Sequence, residues 1–197
     1  MKSLYLSLFV GILVLGYLLP EPSVERPPGV LVPEDPRQDT AGRRDPWAFK
    51  GYKLTPLASF DIRARVIFKE PYWSGREADL SPLDLTVGWG LMSDQTVIRQ
   101  LRLSRARRSF WWMPQTSFTR DNIKEIIRHS ANIHLIPATD PLARDLKALR
   151  PGHIVTMGGT LVEATGADGW KWRSSLTRDD VGDGACELMW VEWMRFE

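Results

Sequence analysis

Between Ser59 and Lys69 apolar and polar residues alternate. Phe60, Ile62, Ala64, Val66 and Phe68 share one side, and Ser59, Asp61, Arg63, Arg65 and Lys69 the other. That period of two predicts a half-buried strand. The next stretch, EPYWSGREADLSPLDLTVGWGLMSDQ, is rich in turn formers. It reads as loops around a short helical or extended piece at Leu83 to Val87. Trp89, flanked by two glycines, is placed where the backbone approaches a neighbour closely. A short helix is expected to start at Ser93 as N-cap and to run through Val97 and Ile98.

Two helices have clearer start signals. In SFTRDNIKEIIRHSAN, Thr119 or Asp121 caps a helix that presents Ile123, Ile126 and Ile127. In ATDPLARDLKALRPG, Asp140 is placed as N-cap with Pro141 at the first helical position, and Pro151-Gly152 ends the helix. NIHLIPA lies between them as a short strand. After Gly152 come HIVTMGGTLVEA, a tight turn at Asp168-Gly169, WKWRSSL, and a last strand ACELMWVEWMRF. The expected fold is α+β: an antiparallel β-rich domain with two to three short helices. A three-stranded meander spans 153–196, and the strand at 59–69 completes a small OB-like barrel or half-barrel.

The first nineteen residues break this pattern, with sixteen uncharged, mostly apolar positions from Leu4 to Leu19 behind Lys2. Sixteen helical residues cover roughly 24 Å, against about 30 Å of hydrocarbon. The following GYLLPEPSVERPP lacks the small residues a signal peptidase needs. We therefore read an uncleaved single-span anchor in preference to a cleaved signal. Positive charge ahead of the span keeps the N-terminus cytoplasmic and places the domain in a periplasm, on the outer face of a bacterial inner membrane. Residues 20–46 carry seven of the fourteen prolines and almost no aromatics. They read as a flexible tether reaching on the order of 80 Å. All nine tryptophans fall within 47–197, which marks the globular domain.

Charge and chemistry add little certainty about activity. Net charge is +2, and one cysteine allows no internal disulfide. Arg102, Arg105, Arg107 and Arg108 run into Trp111 and Trp112. Basic residues beside aromatics suit an anionic polymer or lipid headgroup, while nucleic acid is disfavoured for an exported domain. The same arginines also suit a strand edge kept charged against unwanted pairing. In SSLTRDDVGDGACE, a calcium loop counted from Asp179 fails at Val181 and Trp190, so no metal or cofactor is expected; Arg178 is read as paired with an aspartate. Alternation groups Cys186 with Leu188, Trp190, Met194 and Phe196 on a buried face, which favours an inert thiol. The competing reading pairs Cys186 with His134, oriented by Asp179 or Asp180, as a hydrolase of a peptide or cell-wall bond.

Three phrases carry a resemblance: SPLDLTVGWG at 81–90, SANIHLIPA at 130–138 and SSLTRDDVGDGACE at 174–187. Together they resemble a family of bacterial exported proteins with an N-terminal membrane segment, over about residues 51–196. The resemblance implies an anchored envelope domain and brings no activity with it. The leading functional reading is accordingly a membrane-anchored binding or assembly module of the cell envelope. The Cys-His hydrolase and an OB-like binder of an anionic polymer stand as alternatives.

Overall fold

The strand announced by alternation at 59–69 is the spine of the structure, a computed structural model that describes residues 23–40, 44–106, 108–178, 180, 182 and 184–197. The apolar run at 1–19 lies outside the described residues, and among those described no helix is long and apolar enough to cross a membrane. Ten strands are present: β1 (Arg37–Asp39), β2 (Trp47–Phe49), β3 (Tyr52–Pro71), β4 (Leu83–Gly88), β5 (Leu101–Ala106), β6 (Ser109–Pro114), β7 (Ser130–Pro137), β8 (Ile154–Gly166), β9 (Lys171–Arg173) and β10 (Glu187–Phe196). Among the described residues four short helices accompany them, one more than expected at most: α1 (Arg76–Leu80), α2 (Gln95–Arg99), α3 (Arg120–Arg128) and α4 (Asp140–Ala148). The α+β, mostly antiparallel reading holds.

Five strands close a ring. β3 pairs with β4, β4 with β7, β7 with β10, β10 with β8, and β8 returns to β3. Every pair is antiparallel except β7–β10. β3 serves twice, its first part on β8 (Tyr52 opposite Gly166 through Arg65 opposite Ile154) and its last part on β4. Register shifts between Pro56 and Ala58 and between Val66 and Phe68 bend it between the two neighbours. The predicted meander is corrected here. β9 pairs only with residues 163–165 of β8, while β10 takes residues 155–161 of the same edge. β9 and β10 thus share one edge of β8 end to end.

The ring's interior holds Phe60, Ile62, Leu85, Ile133, Met157, Met189 and Val191, all essentially without solvent contact. Leu146 and Leu149 from α4, and Val32 from the Pro-rich stretch, enter the same cluster. A second cluster, Leu54, Ile136, Leu188 and Trp190, covers the outside of the ring, where Phe49 and Trp47 meet Trp190 edge-on at 4.7 and 5.5 Å. A third, around Met92, Leu101 and Ile126, lies under the β5–β6 hairpin with Trp112 against it.

The tether reading of 20–46 gives way, over its described residues 23–40, to a strap laid on the domain. Val24 N–H donates to the Pro151 carbonyl at 2.8 Å, and the Arg26 side chain donates to the Gly152 and Glu197 carbonyls. Val32 is fully buried, and β1 pairs with Ser59–Asp61. Ser93 is needed by this strap, which is why it is not a helix cap: its Oγ accepts from Leu31 and Val32 N–H at 3.0 and 3.1 Å. Asp94 caps α2 instead, accepting from Thr96 N–H at 2.8 Å. At α4 the cap is likewise one residue from expectation. Thr139 accepts from Leu142 N–H, and Asp140 is inside the first turn. Thr119 caps α3 as expected.

The close approach predicted at Trp89 is present. Its side chain is fully buried with Nε1 donating to Asp35 of the strap at 2.8 Å. A Cβ on Gly88 would lie 2.3 Å from the Met92 carbonyl oxygen, and one on Gly90 2.4 Å from the His129 ring. A side chain on Gly88 would have to move the Met92 backbone, and one on Gly90, whose φ is +45°, would have to displace the His129 ring.

Candidate functional site

A cleft of about 760 Å³ opens on the outer face of the ring. Three stretches distant in sequence line it: Ala106 and Ser109–Trp112 from the hairpin, Ile127 of α3 with Ser130–Asn132 at the start of β7, and Asp180, Gly182, Ala185 and Cys186 from the loop before β10. Phe110, Trp111 and Trp112 give it an aromatic wall. Ser109, Ser130, Asn132 and Asp180 supply polar groups. Among the described lining residues Asp180 is the sole charged one.

The hairpin is held over the ring by its tip. Arg108 has a left-handed backbone, φ 64°, which costs a non-glycine residue about 1–2 kcal/mol. Its surroundings compensate. The guanidinium donates to Asp84 Oδ1 at 2.7 Å and to the Ser81 carbonyl at 2.9 Å, and it lies 3.7 Å over the Tyr72 ring. Asn132 Nδ2 donates to the Arg108 carbonyl at 2.8 Å. Asp84 and His134 are both buried, with Asp84 Oδ2 and His134 Nδ1 3.0 Å apart. Their alignment is not that of a hydrogen bond. The Trp172 ring lies 4.8 Å from that of His134. Burial, and then the Asp84 charge, push the Tyr72 hydroxyl up to about 12.

The predicted residues now separate. The arginines do not form one surface. Arg108 is committed to Asp84, and Arg105 faces Glu70 at 2.6 Å across the Phe68 ring. Arg102 is exposed on the face of the hairpin opposite its buried residues, beside Met113. Arg107 lies outside the described residues. Trp111 is 47% exposed at the cleft mouth, whereas Trp112 leans into the third cluster. Arg178 makes no described pair with an aspartate. It reaches the Pro36 carbonyl at 3.5 Å and the Phe60 ring, while Asp180 accepts from Ser175 Oγ at 2.6 Å.

Cys186 is only partly buried, and it is not on the interior face of β10. Interior positions are Met189 and Val191, and the bulge between Val191 and Trp193 shifts the phase so that Met194 also turns inward. Strict alternation from Cys186 through Phe196 therefore grouped residues that point different ways. The thiol borders the cleft, donating to the Arg108 carbonyl at 3.8 Å and accepting from Asn132 Nδ2 at 3.7 Å. Burial pushes it up to about 11, so it stays protonated at neutral pH. His134 spends its close contacts on Asp84 and Trp172. Asp179 lies outside the described residues, and Asp180 bonds to Ser175.

Sequence reasoning missed Asp84, Asn132 and Glu187, while Phe110 was visible beside Trp111 and Trp112 in the stretch after the arginines. Asp84 and Asn132 do fall inside the SPLDL and SAN phrases, the one signal that could have marked them. A scan of family models, a search of curated proteins and a search of solved structures each give no match to this chain.

Proposed function

We propose that the protein is a membrane-anchored binding module of the bacterial cell envelope, and that its ligand lies in the cleft between hairpin, β7 and the loop before β10. The observation that carries this reading is the position of the cleft in the ring. Counting only ring strands, β3, β4, β7, β8 and β10 are the first to fifth, and they close in the order one-two-three-five-four-one with the third and fifth parallel. α4 bridges the third and fourth. This is the order of an OB barrel, whose second and third strands and fourth-to-fifth loop bind oligonucleotides or oligosaccharides. The cleft uses the start of the third strand and that same loop.

The lining favours an uncharged sugar polymer over the anionic polymer that the arginines suggested. Aromatic rings stack on the apolar faces of sugars, and an amide, hydroxyls and one carboxylate suit their hydroxyl groups. The hydrolase reading has less support, because the Cys186 thiol is held protonated between an amide and a carbonyl. Titration with tetramers of N-acetylglucosamine, followed by tryptophan fluorescence, tests the proposal. Saturable quenching is expected, weakened about tenfold or more by Trp111→Ala, as loss of a stacking group of roughly 1.4 kcal/mol or above requires. Absence of saturation, or indifference to both Trp111→Ala and Asn132→Ala, would sink it.

A further inference from the structure

We infer that the domain does not hang from its anchor but lies directly on an anionic lipid surface, docking through the end of the ring where the strap joins it. This inference rests on the anchored reading above. Four peptide links separate Leu19, the last residue of the apolar run, from Ser23, so the join can stand no more than about 14 Å from the span. From Val24 onward the strap is fastened: Val24 to Pro151, Arg26 to Gly152 and Glu197. A Cβ on Gly152 would lie 2.0 Å from the Val24 carbonyl oxygen, so the two backbones are in contact.

The surface around that join has the chemistry of a membrane-facing patch. Phe196 is 40% exposed and stacks at 4.8 Å on His153. Arg150 and Arg195 are exposed beside them. Arg150, Arg26 and Lys69 together hold the His153 imidazole below its usual range, after burial itself, which records how much positive charge gathers here. The neighbouring acids are already engaged. Glu25 faces Arg99 at 3.8 Å, Glu197 faces Arg63 at 2.7 Å, and Asp94 caps α2. An aromatic ring beside the exposed Arg150 and Arg195 suits an interface of headgroups over acyl chains. The occupant is set by the chain itself, since any span at residues 4–19 brings a bilayer to this end before any other partner.

β10 measures the consequence. Its first residue, Glu187, adjoins the cleft residue Cys186, and its tenth, Phe196, is in the docking patch. At about 3.3 Å per residue the two lie roughly 30 Å apart. The cleft is thereby turned away from the membrane.

The test uses the full chain in nanodiscs, carrying Cys186→Ala and a single new cysteine for a fluorophore, with energy transfer to headgroup acceptors. One label replaces Phe196; the other replaces Lys171, which pairs with Thr165 some ten residues down β8 from the partner of Phe196. In discs containing phosphatidylglycerol, transfer from position 196 should exceed that from 171 roughly threefold or more, given about 30 Å between them. The difference should shrink in pure phosphatidylcholine and with Arg150→Glu plus Arg195→Glu. Equal transfer from both positions in a chain that stays in the disc would overturn docking and leave the anchor standing. A chain that is not retained in the disc at all would overturn the anchored reading itself, and docking with it.

Discussion

Glu187 carries a carboxyl that is 5% exposed, at the first position of the closing strand, with Oε2 lacking any hydrogen-bond partner among the described residues. Burial pushes it up to about 8, against the pull of the Arg178 guanidinium. A carboxyl raised in the folded state binds its proton more tightly there than in the unfolded chain. Its contribution is full below about pH 4.5 and is lost as pH rises through about 8. Glu187→Gln removes that dependence. The expected outcome is a urea midpoint close to wild type at pH 4.5 and higher than wild type at pH 9, by at most a few kcal/mol in stability. A wild-type midpoint that is flat between those two pH values would show that Glu187 is not held protonated. Burial raises Cys186, one residue earlier, in the same direction.

At the scale of elements, the β5–β6 hairpin depends on one ion pair. Asp84 is 2% exposed and Arg108 15%, so deleting one partner strands the other charge in a place poor in water. Asp84→Asn should therefore cost about 3–5 kcal/mol and release the hairpin tip. Limited proteolysis checks this: cleavage near residues 106–109 should accelerate before global unfolding does. A variant that is destabilised with its hairpin still protected would place the role of the pair elsewhere. How legible each element was follows from its surroundings. β3 was legible because one of its faces is buried through most of its length, which writes an alternation into the sequence. β4 was not, because all six of its residues are buried and LDLTVG has no polar face to alternate with. The hairpin's arginines resemble a binding surface in sequence, since nothing local reveals that Asp84 and Glu70 wait for them. The cleft is made by residues of the hairpin, of α3 and β7, and of the loop before β10, so no spacing within any one stretch could announce it. Its individual ingredients, Cys186 and Trp111 among them, were visible while their arrangement was not.

At the scale of the molecule, the ring is closed by the last strand of the chain. β10 fills the gap between β7 and β8, and Glu197 beyond it exchanges two backbone hydrogen bonds with Ile154 and accepts from Arg26. Removing residues 187–197 should abolish the cooperative thermal transition, leaving two sheet edges open and a chain that aggregates. A sharp melting transition in the truncated chain, followed by circular dichroism, would show that the ring closes without β10. If the domain is exported as proposed above, the order of synthesis gives this closure a further meaning. Emerging N-terminus first, the strap at 23–40 reaches the far side of the membrane before Ser93, Trp89 or Pro151, the residues that hold it. β3 must wait for β8, some hundred residues later, and β8 for β10. Pairings at such long range form slowly. The domain therefore cannot lock into its stable form while part of it is still in transit, and its own stability cannot stall its passage. On that route the edges of β7 and β8 stand open to any strand that comes near until β10 has crossed and closed them.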